Sequence, residues 1–306
     1  MEKVSIVIIT YNRPELLKKA KKSAFIQTYQ NIEIIVVDDN SDYDLLKILD
    51  EFNDKINLIK NKKNLGPSGS RNVGIEYCSG KYVTFLDDDD IFHPKKIERQ
   101  INLFNKKNEI GLVYCPLGEI HKNKLMYKPL FDKKNKWNKL THQNYIGITP
   151  LVKKECFSNC GVFDTSLDYH EDRDLWYRIG KKYPFGLINN PDYICYSFSK
   201  DRLSTNVEKI CKNKIIFYEK HKDDFNDKDS YFSELDAEIA FFYLAYKNYK
   251  NFFTYFKKSF SKKHSSKLDI FGLYYKWMSN FFCKQTKFAY KKKKIDREIN
   301  EILSKN

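Results

Sequence analysis

Four consecutive carboxylates, Asp87, Asp88, Asp89 and Asp90, interrupt an otherwise apolar stretch between Tyr82-Val-Thr-Phe-Leu86 and Ile91-Phe-His-Pro94. The β-prone run before them predicts a strand, and Pro94 suits the opening of a helix. The acids therefore belong at the carboxyl end of a strand, the edge where open α/β sheets bind ligands. Adjacent anions repel one another, and a hard divalent cation with oxygen ligands, Mn2+ or Mg2+, relieves that repulsion. A solvated acidic turn is the alternative reading of the same residues. A second acidic group, Glu171, Asp172 and Asp174, sits where a helix should begin. Acids in a first turn complement the helix dipole, and a carboxylate so placed can also act as a general base. Spacing alone leaves both possibilities open.

The elements that must position these groups are legible upstream. Val4-Ser-Ile-Val-Ile-Ile9 and Ile32-Glu-Ile-Ile-Val-Val37 are nearly continuous β-branched runs, as expected of strands buried on both faces of a parallel sheet. Between them, Pro14 suits a first helical position, and Leu16, Leu17, Ala20 and Ala24 recur at helical spacing, with Lys18, Lys19, Lys21 and Lys22 expected mostly on the other face. Leu45, Leu46, Leu49 and Phe52 predict a second amphipathic helix, and Ile56 to Ile59 a third short strand. This β-α-β-α-β order implies a right-handed, doubly wound half with the loops after strands one and two side by side.

Such an edge suits a nucleotide. The glycine-rich dinucleotide fingerprint and the phosphate-cradling loop of ATP-hydrolysing enzymes are both absent after strand one, which weighs against nicotinamide and ATP chemistry. Tyr11 offers a ring that could stack on a base or pack into the core, and Asp39 a carboxylate that could accept the N–H of uracil or cap a helix. The segment Asn64-Leu-Gly-Pro-Ser-Gly-Ser-Arg71-Asn72 is expected to be a flexible loop feeding a helix from Arg71 to Tyr77. Arg71 then lies near a helix start, suited to a diphosphate or simply to the surface.

Further along, Ile110 to Cys115 predicts a strand, Glu119 to Tyr127 a hairpin, Gly147 to Val152 a return to the sheet, and Asp192 to Phe198 a closing strand. The 306 residues, 42% of them apolar, suffice for one main core and an appendage, divided here as 1–200 and 201–306. A net charge of +15 calls for an anionic partner, either nucleic acid, a phosphorylated small molecule or an anionic membrane surface. Seven cysteines without a paired framework, and no signal peptide, predict a reducing, cytoplasmic setting.

Taken together, Val4 to Asn12, Ile34 to Ser41, Asn64-x-Gly-x3-Ser-Arg-Asn72, Gly80-Lys-Tyr, Phe85-Leu-Asp-Asp-Asp-Asp90 and His170-Glu-Asp172-x2-Leu-Trp176 strongly resemble family 2 glycosyltransferases of the GT-A fold. The resemblance covers about the first two-thirds of the chain. It implies an α/β, Rossmann-like, mixed and mostly parallel sheet with helices on both faces. It also implies an inverting, metal-assisted hexosyl transfer from a nucleotide sugar, with UDP preferred, to a glycan or lipid-linked saccharide in surface polysaccharide, lipopolysaccharide or glycoprotein-glycan synthesis. By the same resemblance Thr10, Tyr11, Asn12 and Asp39 contact the nucleoside, Arg71 lies near ribose or diphosphate, and Asp87 and Asp88 bind the nucleotide sugar. Asp89, with Asp87, holds Mn2+ or Mg2+. Asp172 is the base, with Glu171 as the fallback. Two departures stand out: Ile9 replaces a common proline, and Asp88 a common serine.

The last third changes character. Asp201 to Asn206 is expected to cap a helix from Val207 to His221. Glu238 to Phe260 and Leu268 to Tyr290 read as helices dense in Phe, Tyr and Lys, ending in Lys291 to Lys294. A small bundle and a set of helices lying on an anionic membrane share this pattern. Two rival readings of the whole are a GT-A-like binder without activity and a basic nucleic-acid-binding protein. No zinc finger, RNA motif or helix-turn-helix spacing supports the latter.

Overall fold

The nearly continuous β-branched runs form the centre of the sheet. A computed structural model describes residues 1–45, 56–121, 124–127, 140, 144, 146–167, 169–195, 207–224, 228–245 and 247–260. These fall in two compact units, the first reaching residue 195 and the second starting at 207. In the first, β1 (Val4–Thr10) lies between β2 (Ile32–Asp38) and β4 (Tyr82–Asp87), parallel to both, with Val7 opposite Ile35 on one side and Phe85 on the other. Val4, Ile6, Val7 and Ile8 are fully buried, as a strand covered on both faces requires.

From β2 the chain steps outward to β3 (Ile56–Lys60), and α2 (Gly66–Tyr77) returns it past β1 to β4. The sheet continues through β9 (Leu151–Lys153), antiparallel to both its neighbours, then β6 (Leu112–Tyr114) and β10 (Phe185–Leu187). The order β10-β6-β9-β4-β1-β2-β3 reverses direction between β1 and β4. A crevice at their carboxyl ends is the place such sheets offer a ligand.

A second sheet, unforeseen in sequence, joins β5 (Asp90–Phe92), β11 (Tyr193–Cys195), β7 (Leu117–His121) and β8 (Lys124–Tyr127). The closing strand after Asp192 thus pairs here with β5 and β7, leaving the large sheet to be edged by β10, which is too short to signal itself in sequence.

Helix α1 (Pro14–Phe25) buries Leu17, Ala20 and Ala24 as its spacing predicts, but it also buries Lys21, which the lysine pattern placed outside. α2 starts at Gly66, five residues before the expected Arg71, because Pro67 fits its first turn and the Asp39 carboxylate accepts the backbone N–H groups at its entrance. The helix then lies hard against β1: a Cβ at Gly74 would fall 2.3 Å from Val7 Cγ1. Helices α3 (Lys96–Lys106), α4 (Lys154–Cys160) and α5 (Glu171–Gly180) follow among the described residues of this unit.

The second unit contains α6 (Val207–His221), α7 (Lys228–Ala245) and α8 (Tyr249–Ser259). The single helix expected over 238–260 is broken, with Lys247 left-handed at φ +60° and Asn248 capping α8 by accepting the Asn251 N–H at 3.2 Å. Ala237 and Ala240 pack against Phe252, Tyr255, Phe256 and Phe260, so much of the aromatic face is used inside the unit. No helix among the described residues is long and apolar enough to cross a membrane. Most of the second amphipathic helix after Leu45, the cap at 201–206 and the segment 268–294 lie outside the described residues.

At the amino end of the sheet, Glu33 accepts hydrogen bonds from Ser5 Oγ, Ser79 N (2.7 Å), Ser79 Oγ (2.6 Å) and Gly80 N (3.1 Å), and pairs with Lys3 at 2.8 Å. Burial raises its carboxyl, but the bonds from Lys3, Ser5 and Ser79 outweigh that and bring it from the ordinary 4.5 down to about 2. A depressed carboxylate stabilises the fold fully above its unfolded pKa and loses that contribution as pH falls through the folded one. Glu33→Gln should therefore lower stability by about 1–2 kcal/mol at neutral pH after solvent screening. Denaturant titrations should show the gap to wild type closing between pH 5 and pH 2. Gly74→Ala, which forces α2 off β1, should cost about 1–3 kcal/mol, measured by the same titration.

Candidate active site

The loops after β1 and β2 are laced together at the reversal point. Thr10 O accepts Asp39 N at 2.9 Å, Ser41 Oγ accepts Asn12 N at 2.9 Å, and the Asn12 and Asp42 side chains and backbone exchange two further bonds of 2.9 Å. Asn12 and Asn40 are left-handed, at φ +54° and +70°, a conformation that asparagine tolerates well. Asn12 is thus a loop fastener in this structure. Tyr11 is 46% exposed, so its ring is not packed in the core. Asp38 accepts Ser41 N at 2.9 Å, closing the turn.

Asp39 is buried and accepts three hydrogen bonds: from Asn61 Nδ2 (2.9 Å) and Leu65 N (2.7 Å) to one oxygen, and from Gly66 N (2.9 Å) to the other. Of the two expected roles, the helix cap is the one these contacts show. The cap is to α2 rather than to the helix that follows Asp39 in sequence. A carboxylate has about four lone-pair sites, so one acceptor position remains for a ligand.

The acid tetrad is divided by the fold. Asp87 ends β4 and Asp90 begins β5, so Asp88 and Asp89 form a two-residue corner between the sheets. Thr10 Oγ1 donates to Asp88 Oδ2 at 2.8 Å across the reversal point. Asp88 Oδ1 and Asp89 Oδ2 both lie 3.3 Å from the same nitrogen, Nη1 of Arg13. Burial, with the charges of Asp89 and Asp87, pushes Asp88 up to about 6 against the pull of Thr10 and Arg13. Asp90 is pushed further, to about 8, by burial and by Asp87 and Asp89. Burial thus favours the protonated form of Asp90 over the charged one. Fully buried Tyr193 offers its hydroxyl to Asp90 and accepts Asp87 N at 3.3 Å, clamping both ends of the corner.

Arg71 joins this corner to the second acidic group. Its Nη2 pairs with Asp87 at 2.7 Å and its Nη1 with Glu171 at 2.8 Å, and the side chain is only 5% exposed. Its carbon lies 5.6 Å from the Phe163 ring centroid. The Phe163 backbone is in turn held by Asn72, which donates to Phe163 O and accepts Phe163 N, both at 2.9 Å. The surface arginine is thus overturned. Asp172, next to Glu171, accepts Asn144 Nδ2 at 2.8 Å and Arg173 N at 2.7 Å. Burial raises both carboxyls, and Asp172 raises Glu171 further by its charge. His170 precedes them in a left-handed conformation at φ +69° and lies against Tyr169, with ring centroids 4.2 Å apart and the planes tilted by 59°.

Thr10, Arg71, Asp87, Asp88, Asp89 and Glu171 therefore belong to one connected set, with Asp172 adjoining, whereas Tyr11, Asn12 and Asp39 line the neighbouring loops. Sequence reading missed Arg13, Tyr193 and Asn144. For Arg13 a signal existed: a cation immediately after strand one, on the edge that carries the acids. Tyr193 and Asn144 come from distant segments and give none. Among the described residues no three acids, cysteines or histidines converge as a closed metal cage. Of the expected metal pair Asp89 and Asp87, Asp87 is held by Arg71, and it is Asp88 that shares a positive point with Asp89, an oxygen pair whose chemistry fits a divalent cation taking its remaining ligands from phosphates.

Removing the charge of Arg71 while keeping its bulk, as in Arg71→Met, strands Asp87 and Glu171 in a buried site. A loss of about 3–5 kcal/mol is expected. Arg71→Lys should lose less but give up the two-armed bridge. Thermal unfolding of the two variants checks this ordering.

Residues 5–169 match the model of the family described as Glycosyl transferase family 2. An uncharacterized glycosyltransferase of Rickettsia prowazekii is 39% identical over 184 residues, which are 57% of this chain and 58% of that protein. The chain thus spans little more than half the length of that relative. The Escherichia coli UDP-Glc:alpha-D-GlcNAc-diphosphoundecaprenol beta-1,3-glucosyltransferase WfgD is 33% identical over 68% of this chain and 82% of its own. Among solved structures, the mannosyltransferase PcManGT from Pyrobaculum calidifontis, in complex with GDP-Man and Mn2+, superposes with a TM-score of 0.61 at 13% identity, over 99% of this chain and 84% of that one. That likeness establishes the α/β GT-A fold alone. With more than half its length matching the family model, the chain belongs to glycosyl transferase family 2.

Proposed function

We propose that the chain transfers a hexose from a UDP-sugar to a hydroxyl of a glycan or lipid-linked saccharide, inverting the anomeric centre. The observation that carries this reading is the continuous path from the Asp88–Asp89 corner through Asp87 and Arg71 to Glu171 and Asp172. It holds, side by side, what a leaving diphosphate and an attacking hydroxyl each need.

On the donor side, Tyr11 presents its ring to the base, Asp39 keeps one lone-pair site for the uracil N–H, and Asp88 and Asp89 supply oxygens for a divalent cation. Mn2+ or Mg2+, when bound, neutralises the charge that develops on the diphosphate. On the acceptor side, Glu171 is committed to Arg71, which leaves Asp172 to take the proton from the attacking hydroxyl. Its desolvation raises its basicity, and Asn144 holds one oxygen so that the carboxylate keeps a fixed orientation. One carboxylate on the acceptor side and a leaving group on the other make a single in-line displacement.

A lipid-linked acceptor is supported by the name of the Escherichia coli relative, whose acceptor is a diphosphoundecaprenol sugar. Tyr249 and Phe253, one helical turn apart on α8 and 56% and 55% exposed, with Lys250, Lys257 and Lys258 on the same helix, suit the anionic membrane surface on which such an acceptor lies.

Incubation with Mn2+ and a panel of nucleotide sugars should release free nucleotide from a UDP-hexose. A protein that only binds would release none. Asp172→Asn should lower turnover by about 10²–10⁴-fold with little change in donor affinity. Should Glu171→Gln abolish turnover while Asp172→Asn leaves it intact, the base is assigned to the wrong residue.

A further inference from the structure

We propose that Arg13 is a donor-binding residue that exchanges partners: it holds Asp88 and Asp89 in the ligand-free site and swings to the donor's pyrophosphate when a divalent cation takes its place. The inference rests on the nucleotide-sugar reading of the crevice and goes beyond it by assigning a residue and a sequence of contacts.

Two arginines enter this site and differ in kind. Arg71 is almost wholly buried, with contacts of 2.7 and 2.8 Å and an aromatic ring beside it. It is built in. The Arg13 side chain is 37% exposed, and each of its two contacts is 3.3 Å. Pairs of that length and exposure are weak and readily exchanged. Arg13 also sits on the last backbone position before α1, where Pro14 fixes the chain, so the side chain can pivot while its root stays.

The geometry makes competition unavoidable. One nitrogen, Nη1, faces both Asp88 Oδ1 and Asp89 Oδ2. A cation held by those same two oxygens would occupy the guanidinium's position, and two positive charges cannot share it. The displaced guanidinium needs an anion within reach of its pivot, and the pyrophosphate that accompanies the cation is one. Its planar fork matches phosphate oxygens two at a time. Arg13 thus satisfies the carboxylates before the donor arrives and the leaving group afterwards.

Calorimetry on the full chain, with Mn2+ alone and with inorganic pyrophosphate in the presence of Mn2+, tests the exchange. Arg13→Gln removes the competitor, so Mn2+ alone should bind about fivefold tighter. The same variant should bind pyrophosphate about tenfold more weakly. Arg13→Lys keeps the charge but not the fork and should show the same two shifts, opposite in sign and smaller. If the two affinities move together in Arg13→Gln, or neither moves, while wild type binds both probes, Arg13 has no such role. If wild type binds neither probe, the reading of the crevice itself fails, and the exchange with it.

Discussion

Carboxylates gathered at one sheet edge repel each other, and burial makes the repulsion stronger because water no longer screens it. In this protein six such groups, Asp87 to Asp90 with Glu171 and Asp172, crowd the ends of β4 and β5 and the start of α5. Three devices keep them together. Arg71 spans the gap between Asp87 and Glu171, Arg13 spans Asp88 and Asp89, and burial favours the protonated form of Asp90. The rest of the first unit can be understood as what places those devices.

Arg71 depends most on its surroundings. It lies on α2, and the position of α2 is fixed at its entrance by Asp39 and along its length by Gly74 against Val7. A carboxylate at a helix N-terminus meets the positive end of the dipole, so Asp39 is stabilised by the helix it anchors. The same residue therefore orients the arginine that links the two acidic groups. Phe163, held by Asn72 of the same helix, covers the guanidinium from the other side. One turn of α2 thus fixes both the arginine and the ring beside it.

What the sequence disclosed follows the range over which each signal acts. Strands β1 and β2 are long β-branched runs and β4 is a β-prone apolar one, and their parallel order follows from the helices between them, so the centre of the sheet and its ligand edge were legible. The three-residue strands β5 and β10 were not, since so short a segment is chosen by its partners and not by its own pattern. The start of α2 was placed too late because its Gly-Pro-Ser-Gly opening looks like loop. The anchoring carboxylate that makes it helical lies more than twenty residues upstream, on Asp39. The acids themselves announced the site, and Arg13 stood on the same edge, whereas Tyr193 and Asn144 became visible only once the fold had brought them to it.

The division of the tetrad between two sheets explains why its members differ although their side chains are identical. Asp87 is still in register with β1 through Ile9, while Asp90 is already paired with Cys195 of β11. The chain leaves one sheet and enters the other within Asp88 and Asp89, and only these two project together towards the crevice and Arg13. Tyr193 touches both flanks of the corner, so the spread of the two carboxylates is set by the relation of the sheets and not by the turn itself. An isolated acidic turn could open to relieve its charge. This one cannot, because opening it would separate β5 from β11 and withdraw Asp90 from the hydroxyl that it meets in the core. The repulsion is retained in a fixed geometry, which is the condition under which a cation arriving with its phosphates would find both oxygens already aimed at one point.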